Sequence, residues 1–220
     1  MDLTTRLMLQ NRAWADEMTS RDPAFFENLV AGQQPRVFWI GCADSRVPAE
    51  SVTNALPGEL FVHRSVANLV RPDDPNIMSA LQYALDVLQV QYVIVCGHEG
   101  CGGVRAALMP ADSAVPARGD YLAEHLRPLR ALYRRRAGEI DGNTAPDPAD
   151  DDEVAARVGR FVELNVADQV HTLAATPQVQ RAWQRGQPLR LLGWVYALRD
   201  GRLRQVLDID ADSIQLAAAA

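Results

Sequence analysis

An almost uninterrupted apolar run, VQYVIVCG at residues 90–97, constrains the fold of this chain more than any other stretch. It is short, rich in β-branched residues and without the apolar–polar alternation of a strand that has one solvated face. A run of this kind is typical of a central strand in a parallel sheet, which is buried on both faces. We therefore predict a strand here, with helices on either side of it in the chain.

The rest of the sequence alternates between strand-like and helix-like patterns, which predicts an α/β fold: a mostly parallel β-sheet flanked by helices. An N-terminal helical arm (1–32) precedes the sheet. A C-terminal β-hairpin (189–209) around an Asp-Gly turn follows it. The further predicted strands are 36–41 and 57–64, and the predicted helices are 3–18, 23–32, 77–88, 103–109, 120–137 and 153–175.

Residues 138–152, GEIDGNTAPDPADDD, are acidic, rich in Pro and Gly, and nearly free of large apolar side chains. This composition predicts a surface loop. The chain has 220 residues, which is long enough for one domain with a sizeable core, so residues 1–220 are predicted to form one domain.

The composition also bounds the partners. The formal net charge is -6, which argues against nucleic acid, because a phosphate backbone selects for basic surfaces. We find no signal peptide and no apolar stretch near the roughly 20 residues that span a membrane. We therefore expect a cytoplasmic protein with no membrane partner. In a reducing compartment, clustered cysteines indicate metal binding or catalysis rather than disulfides.

Two loops rich in reactive side chains follow predicted strands. Cys42 begins the segment CADSR after one strand, and His98 and Cys101 lie in HEGCGG after another. Ligands bind at the carboxyl ends of strands in such sheets, and two thiolates with one imidazole suit zinc. Three protein ligands and one open position on the zinc indicate a catalytic site. The alternative for a cysteine that stands alone, such as Cys42, is a buried core residue. Cys96, inside the apolar run, is predicted to be a packing residue.

CADSR (42–46) followed by GHEGCGG (97–103) resembles the β-class carbonic anhydrases, whose motif is CxDxR with a later HxxC. The similarity continues through 47–70 and, more weakly, through ELNVADQV and GWVYALRDGRL, so it covers about residues 10–210. The resemblance implies an enzyme that interconverts carbon dioxide and bicarbonate, with one Zn²⁺ per chain. Its zinc ligands are Cys42, His98 and Cys101, and Asp44 and Arg46 form its catalytic dyad.

The resemblance also implies an apolar substrate slot. Its residues are Gln33, Phe61, Val66 and Tyr83, with Gln33 as hydrogen-bond donor and Tyr83 contributed by a partner subunit. Core packing is the alternative for Phe61 and Val66. The family forms homodimers or homotetramers, and the N-terminal arm is expected to wrap the partner.

Some family members are inhibited by bicarbonate bound at a second, non-catalytic pocket. The matching residues here are Trp39, Gly41, Val47, Arg64 and Tyr196. In those members the aspartate of the dyad leaves its arginine and becomes the fourth zinc ligand, which closes the site. The same change here would move Asp44 from Arg46 to the zinc. The simpler alternative is that Trp39 packs in the core and Arg64 pairs with a carboxylate, for example that of Glu50 or Glu59.

Two rival functions remain open from the sequence. A hydrolase of carbon disulfide or carbonyl sulfide on the same fold would keep every ligand. A zinc-stabilised interaction domain would keep the ligands but would have no use for the dyad of Asp44 and Arg46. Ser65 stands where many family members have asparagine, and a small local effect is expected. His63, His125 and His171 are expected to be structural or solvated.

Overall fold

The sheet has five strands in the order β2-β1-β3-β4-β5. A computed structural model of the chain describes residues 1–109, 119–142 and 150–213. Strands β1 to β4 pair in parallel, and β5 runs antiparallel to β4, which confirms the predicted α/β fold and C-terminal hairpin. The strands are β1 (Val37–Cys42), β2 (Leu60–Ser65), β3 (Tyr92–His98), β4 (Arg190–Ala197) and β5 (Arg202–Ile209).

The helices largely follow the predicted pattern, with three differences. The predicted helix 120–137 is two helices, the predicted helix 77–88 ends in a π-helical segment at Tyr83–Val87, and two further short helices were not predicted. The helices are α1 (Leu3–Arg21), α2 (Phe25–Val30), α3 (Ala49–Thr53), α4 (Pro75–Gln82), α5 (Gly102–Leu108), α6 (Tyr121–His125), α7 (Arg127–Asp141), α8 (Asp151–Ala174) and α9 (Pro177–Gln184).

The sheet divides the core into two unequal clusters. Phe38 and Ile40 of β1 point to the face covered by helices, where most of the buried apolar residues lie. Trp39, between them, points to the opposite face and joins a smaller cluster with Ile94 and Leu192. This alternation follows from the two-residue period of a strand. It places neighbouring residues of β1 in different environments.

The predicted loop 138–152 is wrong at both of its boundaries. Helix α7 continues to Asp141, with Ile140 fully buried. Helix α8 begins at Asp151, and the Asp150 carboxylate caps it by accepting from two backbone N–H groups. The acidic residues there form a favourable first helical turn rather than a loop. Residues 143–149 lie outside the described part of the chain.

Helix α1 of the N-terminal arm is largely exposed to solvent. None of the residues of α1 is buried, and Leu3 is 59% exposed. Its contacts with its own chain include an aromatic cluster in which Trp14 meets the edges of Phe25 and Phe26. Leu7 and Met8 are also exposed, so the arm presents apolar surface. Within the described ranges, no helix has the length and apolarity needed to cross a membrane.

Candidate metal centre

Three ligand-type side chains meet at the carboxyl end of the sheet. Cys42 is the last residue of β1, His98 is the last residue of β3, and Cys101 precedes α5 as its N-cap. Because β1 and β3 are adjacent parallel strands, their ends lie side by side. The two Sγ atoms and a ring nitrogen of His98 all lie within 4.8 Å of one another, and all three residues are buried.

The orientation of His98 fits a metal ligand. Its Nδ1 lies 2.9 Å from the Glu99 carbonyl oxygen, which fixes the ring. Its Nε2 is fully buried and has no hydrogen-bond partner among the described residues. A buried polar atom without a partner is costly. A metal ion held with Cys42 and Cys101 would satisfy it, and two thiolates with one imidazole are a preferred zinc ligand set.

The glycines between these ligands allow the short loop. Gly100 has φ +62°, in the left-handed region that favours glycine, and this turn brings Cys101 back toward His98. The two thiols lie 3.9 Å apart. The Cys101 thiol and, against the effect of burial, the His98 ring lower the pKa of Cys42. The site therefore favours a thiolate at Cys42, the form that binds metal.

Cys96 is separate from this group. It lies in the cluster on the opposite face of the sheet, and its thiol donates to the Gly97 carbonyl oxygen at 3.3 Å. Burial raises the pKa of Cys96 to about 12. A neutral buried thiol of this kind packs like a small apolar side chain.

Asp44 and Arg46 form a bidentate ion pair beside the three ligands. Arg46 donates from Nε to Asp44 Oδ1 at 3.0 Å and from Nη2 to Oδ2 at 2.7 Å. The Arg46 backbone N–H adds a third bond to Oδ1 at 2.9 Å. These hydrogen bonds hold the pKa of Asp44 well below its usual range. Asp44 Oδ2 lies 3.8 Å from His98 Nε2, so the carboxylate borders the metal position while paired with Arg46.

Arg64 makes a contact that the sequence did not reveal. Its Nε donates to the Cys42 carbonyl oxygen at 2.8 Å, and its Nη2 donates to the Asp44 carbonyl oxygen at 2.5 Å. Among the described residues, Arg64 forms no ion pair with a carboxylate, Glu50 and Glu59 included. Arg64 instead fixes the backbone on both sides of Ala43.

Four of the five residues matched to the second pocket share the face of the sheet that carries the smaller cluster. Trp39 is 2% exposed and meets Trp194 edge-on at 6.1 Å. A Cβ on Gly41 would lie 2.6 Å from Trp39 Nε1, so the indole occupies the space above Gly41. Arg64 pairs in register with Gly41, and Tyr196 packs on the same small cluster.

Val47 is the exception among the residues matched to the second pocket. Its side chain is buried in the cluster on the helix-covered face. Its side chain therefore does not face the group around Trp39, and a role of Val47 in that pocket stays a prediction.

The four slot residues do not surround one metal centre. Val66 follows β2 and lies near the ligands, but Phe61 is four residues, about 13 Å, before the end of that strand. Phe61 contacts Tyr83 of its own chain, with ring centroids 5.7 Å apart. Gln33 is exposed, four residues before β1 begins. Phe61 therefore accompanies Tyr83, away from the metal ligands of its own chain.

The remaining histidines and Ser65 have local roles. Ser65 Oγ donates to the Leu69 carbonyl oxygen at 3.2 Å. The ring of His125 contacts the Val66 carbonyl oxygen through Nε2 at 2.9 Å. His63 is half-buried, and burial lowers its pKa. His171 is exposed in the last turn of α8. None of these histidines joins the metal-ligand group.

The chain is similar to known proteins along most of its length. A family model described as "Carbonic anhydrase" matches residues 37–203. A carbonic anhydrase of Emericella nidulans is 40% identical over 210 residues, covering 95% of this chain and 85% of the relative.

Two solved structures share the fold. A β-carbonic anhydrase of Coccomyxa in complex with acetazolamide has a TM-score of 0.86 and 35% identity, covering 99% of this chain and 91% of its own. A tetrameric β-carbonic anhydrase of Sordaria macrospora has a TM-score of 0.82 and 32% identity, covering 95% of this chain and all of its own.

Proposed function

The chain belongs to the β-class carbonic anhydrases, and we propose that it catalyses the reversible hydration of carbon dioxide to bicarbonate and a proton, with one zinc ion per chain. The observation that carries this proposal is the buried trio of Cys42, His98 and Cys101 with the Asp44 carboxylate beside it. A purely structural zinc site has no need of an ion pair at its border.

The side chains around the trio have distinct roles in this reaction. When bound, zinc lowers the pKa of a coordinated water and so supplies a hydroxide nucleophile. Arg46 holds Asp44 by two charge-assisted hydrogen bonds. The carboxylate stays ionised and accepts a hydrogen bond from the nucleophile, which aims a lone pair of that nucleophile at carbon dioxide. Arg64 keeps the backbone of Cys42 and Asp44 in place.

Hydration of carbon dioxide is tested by stopped-flow kinetics together with zinc quantitation. Activity that scales with zinc content supports the proposal. A protein that binds zinc stoichiometrically and hydrates no carbon dioxide contradicts it. Carbon disulfide as a second substrate tests the rival hydrolase, since the ligand set alone does not separate the two reactions.

The proposal includes inhibition by bicarbonate at the group around Trp39. The indole N–H and the Tyr196 hydroxyl have no hydrogen-bond partner among the described residues, so both are available to an anion. Arg64 links this face to the site, because its guanidinium binds the backbone of Cys42 and Asp44. An anion that draws Arg64 toward Trp39 would loosen that backbone and let Asp44 leave Arg46 to become the fourth zinc ligand.

Substitution tests this regulatory proposal. Trp39→Phe and Tyr196→Phe should each weaken inhibition at high bicarbonate while carbon dioxide hydration at low bicarbonate is kept. Unchanged inhibition in both variants rejects regulation at this face but leaves the catalytic proposal standing.

The proposed substrate slot needs two chains. Val66 lies by the metal ligands, whereas Phe61 lies near the start of β2 and contacts Tyr83 there. We assign Phe61, Tyr83 and Gln33 to the slot of a partner subunit in a homodimer or homotetramer. The exposed arm α1, with its apolar side chains, is proposed to pack on that partner.

Removal of residues 1–21 tests the assembly. Sedimentation should show a shift toward smaller species together with a loss of activity. A truncated protein of unchanged mass and activity contradicts the role of the arm.

A cytoplasmic location is part of the proposal, and three free, buried thiols fit a reducing compartment.

A further inference from the structure

The turn that follows β2 has an unusual backbone. Ala67 has φ +59° and Asn68 has φ +49°, so two consecutive non-glycine residues adopt the left-handed conformation. This region is sparsely populated by residues that carry a side chain. Such conformations persist only where the surrounding structure imposes them. The segment 65–70, called here the strained turn, therefore needs a source of constraint.

The strained turn contacts both segments that carry metal ligands. The Ser65 carbonyl oxygen accepts from the N–H of Ala43, the residue after Cys42, at 2.9 Å. On the other side, a Cβ on Gly103 would lie 2.8 Å from Val66 Cγ1 and 3.1 Å from Ala67 Cβ. Gly103 follows Cys101 by two residues, so the turn packs directly against the loop of His98 and Cys101. A shift of the turn would move both ligand segments.

Two buried amides of α8 supply the constraint. Asn165 Nδ2 donates to the Ala67 carbonyl oxygen at 3.0 Å. Gln169 Oε1 accepts from the Val70 N–H at 2.8 Å, and its Nε2 donates to Asn165 Oδ1 at 3.1 Å. Asn165 is fully buried and Gln169 is 4% exposed. The two amides are four residues apart on one face of the helix, so they act on the turn as a connected pair.

We propose that Asn165 and Gln169 are positioning residues for the metal centre. They form no hydrogen bond with any of the three metal ligands, but they hold the strained turn against Ala43 and Gly103. Through the turn they fix Cys42, Cys101 and the apolar wall at Val66. The His125 contact to the Val66 carbonyl oxygen supports the same turn. The effect on catalysis rests on the proposed function, whereas the effect on metal retention does not.

The test compares Asn165→Ala and Gln169→Met with the control Tyr133→Phe. The Tyr133 hydroxyl donates to Asp141 at 2.8 Å and accepts from Arg157 of α8 at 3.3 Å, so the control removes two hydrogen bonds. The test variants should release zinc to a chelator about tenfold faster, as expected when groups that support metal ligands are lost. At full zinc occupancy, kcat should fall about tenfold with KM within about twofold of the wild type. The control variant should change neither the rate of zinc release nor kcat.

A rescue variant separates positioning from general destabilisation. Glycine adopts positive φ without strain, so Ala67→Gly relieves the conformation that Asn165 imposes. In the background of Asn165→Ala it should slow zinc release by about threefold or more. It should not alter zinc release in the background of Tyr133→Phe.

Three outcomes decide the proposal. The proposal is overturned if the test variants and Tyr133→Phe, compared at the same loss of thermal stability, show the same zinc release and the same kcat. Absence of rescue by Ala67→Gly also overturns it. If the wild type hydrates no carbon dioxide but the test variants still release zinc faster, the proposed activity fails and the positioning role stands. If Asn165→Ala does not fold, Gln169→Met provides the same comparison.

Discussion

Removal of the Arg46 side chain tests the role of the ion pair directly. Arg46→Ala deletes the two side-chain hydrogen bonds to Asp44 and leaves only the backbone bond from residue 46 at 2.9 Å. Without the guanidinium, the carboxylate is free to rotate toward the metal position, since Oδ2 already lies 3.8 Å from His98 Nε2. Carbon dioxide hydration should therefore fall even though no metal ligand is changed.

The size of the effect follows from the geometry and exposure of the pair. A hydrogen bond to a charged group contributes about 1.5–3 kcal/mol when buried. Here the Arg46 side chain is 54% exposed and that of Asp44 is 19% exposed. Solvent screens a pair that is exposed to this extent, so the loss of rate comes from the misplaced carboxylate rather than from the energy of the pair itself. Misplacement of a group that orients the nucleophile should lower kcat by about tenfold or more.

The chain contains a matched control for this variant. Arg71 forms the same two side-chain bonds to Asp73, at 3.1 and 2.8 Å, with the same spacing of two residues. Stopped-flow kinetics at full zinc occupancy should show the loss in Arg46→Ala and nearly unchanged activity in Arg71→Ala. A kcat for Arg46→Ala within about twofold of the wild type, at full zinc content, would refute the reasoning.

Three further predictions address packing, metal removal and pH. Gly97→Ala places a Cβ 2.7 Å from Val166 Cγ2 and should destabilise the fold by about 1–3 kcal/mol. Gly159→Ala, in open space within α8, should instead stabilise it by up to about 1 kcal/mol, and a melting curve that orders the two variants otherwise contradicts the packing. After the metal is removed by chelation, iodoacetamide at neutral pH should modify Cys42 before Cys96. The reason is that the pKa of Cys42 is lowered, whereas the pKa of Cys96 is raised to about 12. Equal labelling of the two thiols, measured by mass spectrometry, contradicts the assignment. Two thiolates neutralise the zinc charge, so a coordinated water should be less acidic than the ~7 of a three-histidine site, and activity should rise toward alkaline pH; a flat rate from mildly acidic to clearly alkaline buffer contradicts this.

The metal ligands were predictable from the sequence because each lies in a short motif at a strand end. Cys42 ends β1 and His98 ends β3, and the apolar runs before them identify both strands. Once two strands are known to be parallel neighbours, their end residues must be close. Cys96 is in register with Gly41, the residue before Cys42, so its side chain points to the face of the sheet opposite that of Cys42.

The contacts of Arg64 and Phe61 were not predictable in this way. Arg64 reaches the Cys42 carbonyl oxygen because β1 and β2 pair with Gly41 opposite Arg64, and a single sequence does not specify that register. Phe61 is the second residue of β2 and so lies far from the ligands, which are at the carboxyl end of the sheet; this follows from the bounds of β2. The side chain of Val47 lies on the helix-covered face, which depends on how the chain turns after β1.

Some helices were missed for identifiable reasons. Helix α3 is only five residues long, too short for an apolar periodicity. Helix α9 is mostly polar, but Thr176 as N-cap and Pro177 in its first turn were readable start signals. The acidic start of α8 was assigned to a loop by composition, although Asp150 followed by acidic residues is also typical of a capped helix N-terminus.

X-ray absorption at the zinc edge of the purified protein tests the central claim most directly, because it counts the sulfur ligands. The account predicts one zinc per chain with two sulfur neighbours at about 2.3 Å and lighter nitrogen or oxygen neighbours at about 2.0–2.2 Å. The spectrum should be the same in Cys96→Ser, whereas Cys101→Ser should lose one sulfur neighbour or the metal itself. A shell with three sulfurs, a shell with none, or loss of a sulfur in Cys96→Ser would contradict the assignment of Cys42, His98 and Cys101.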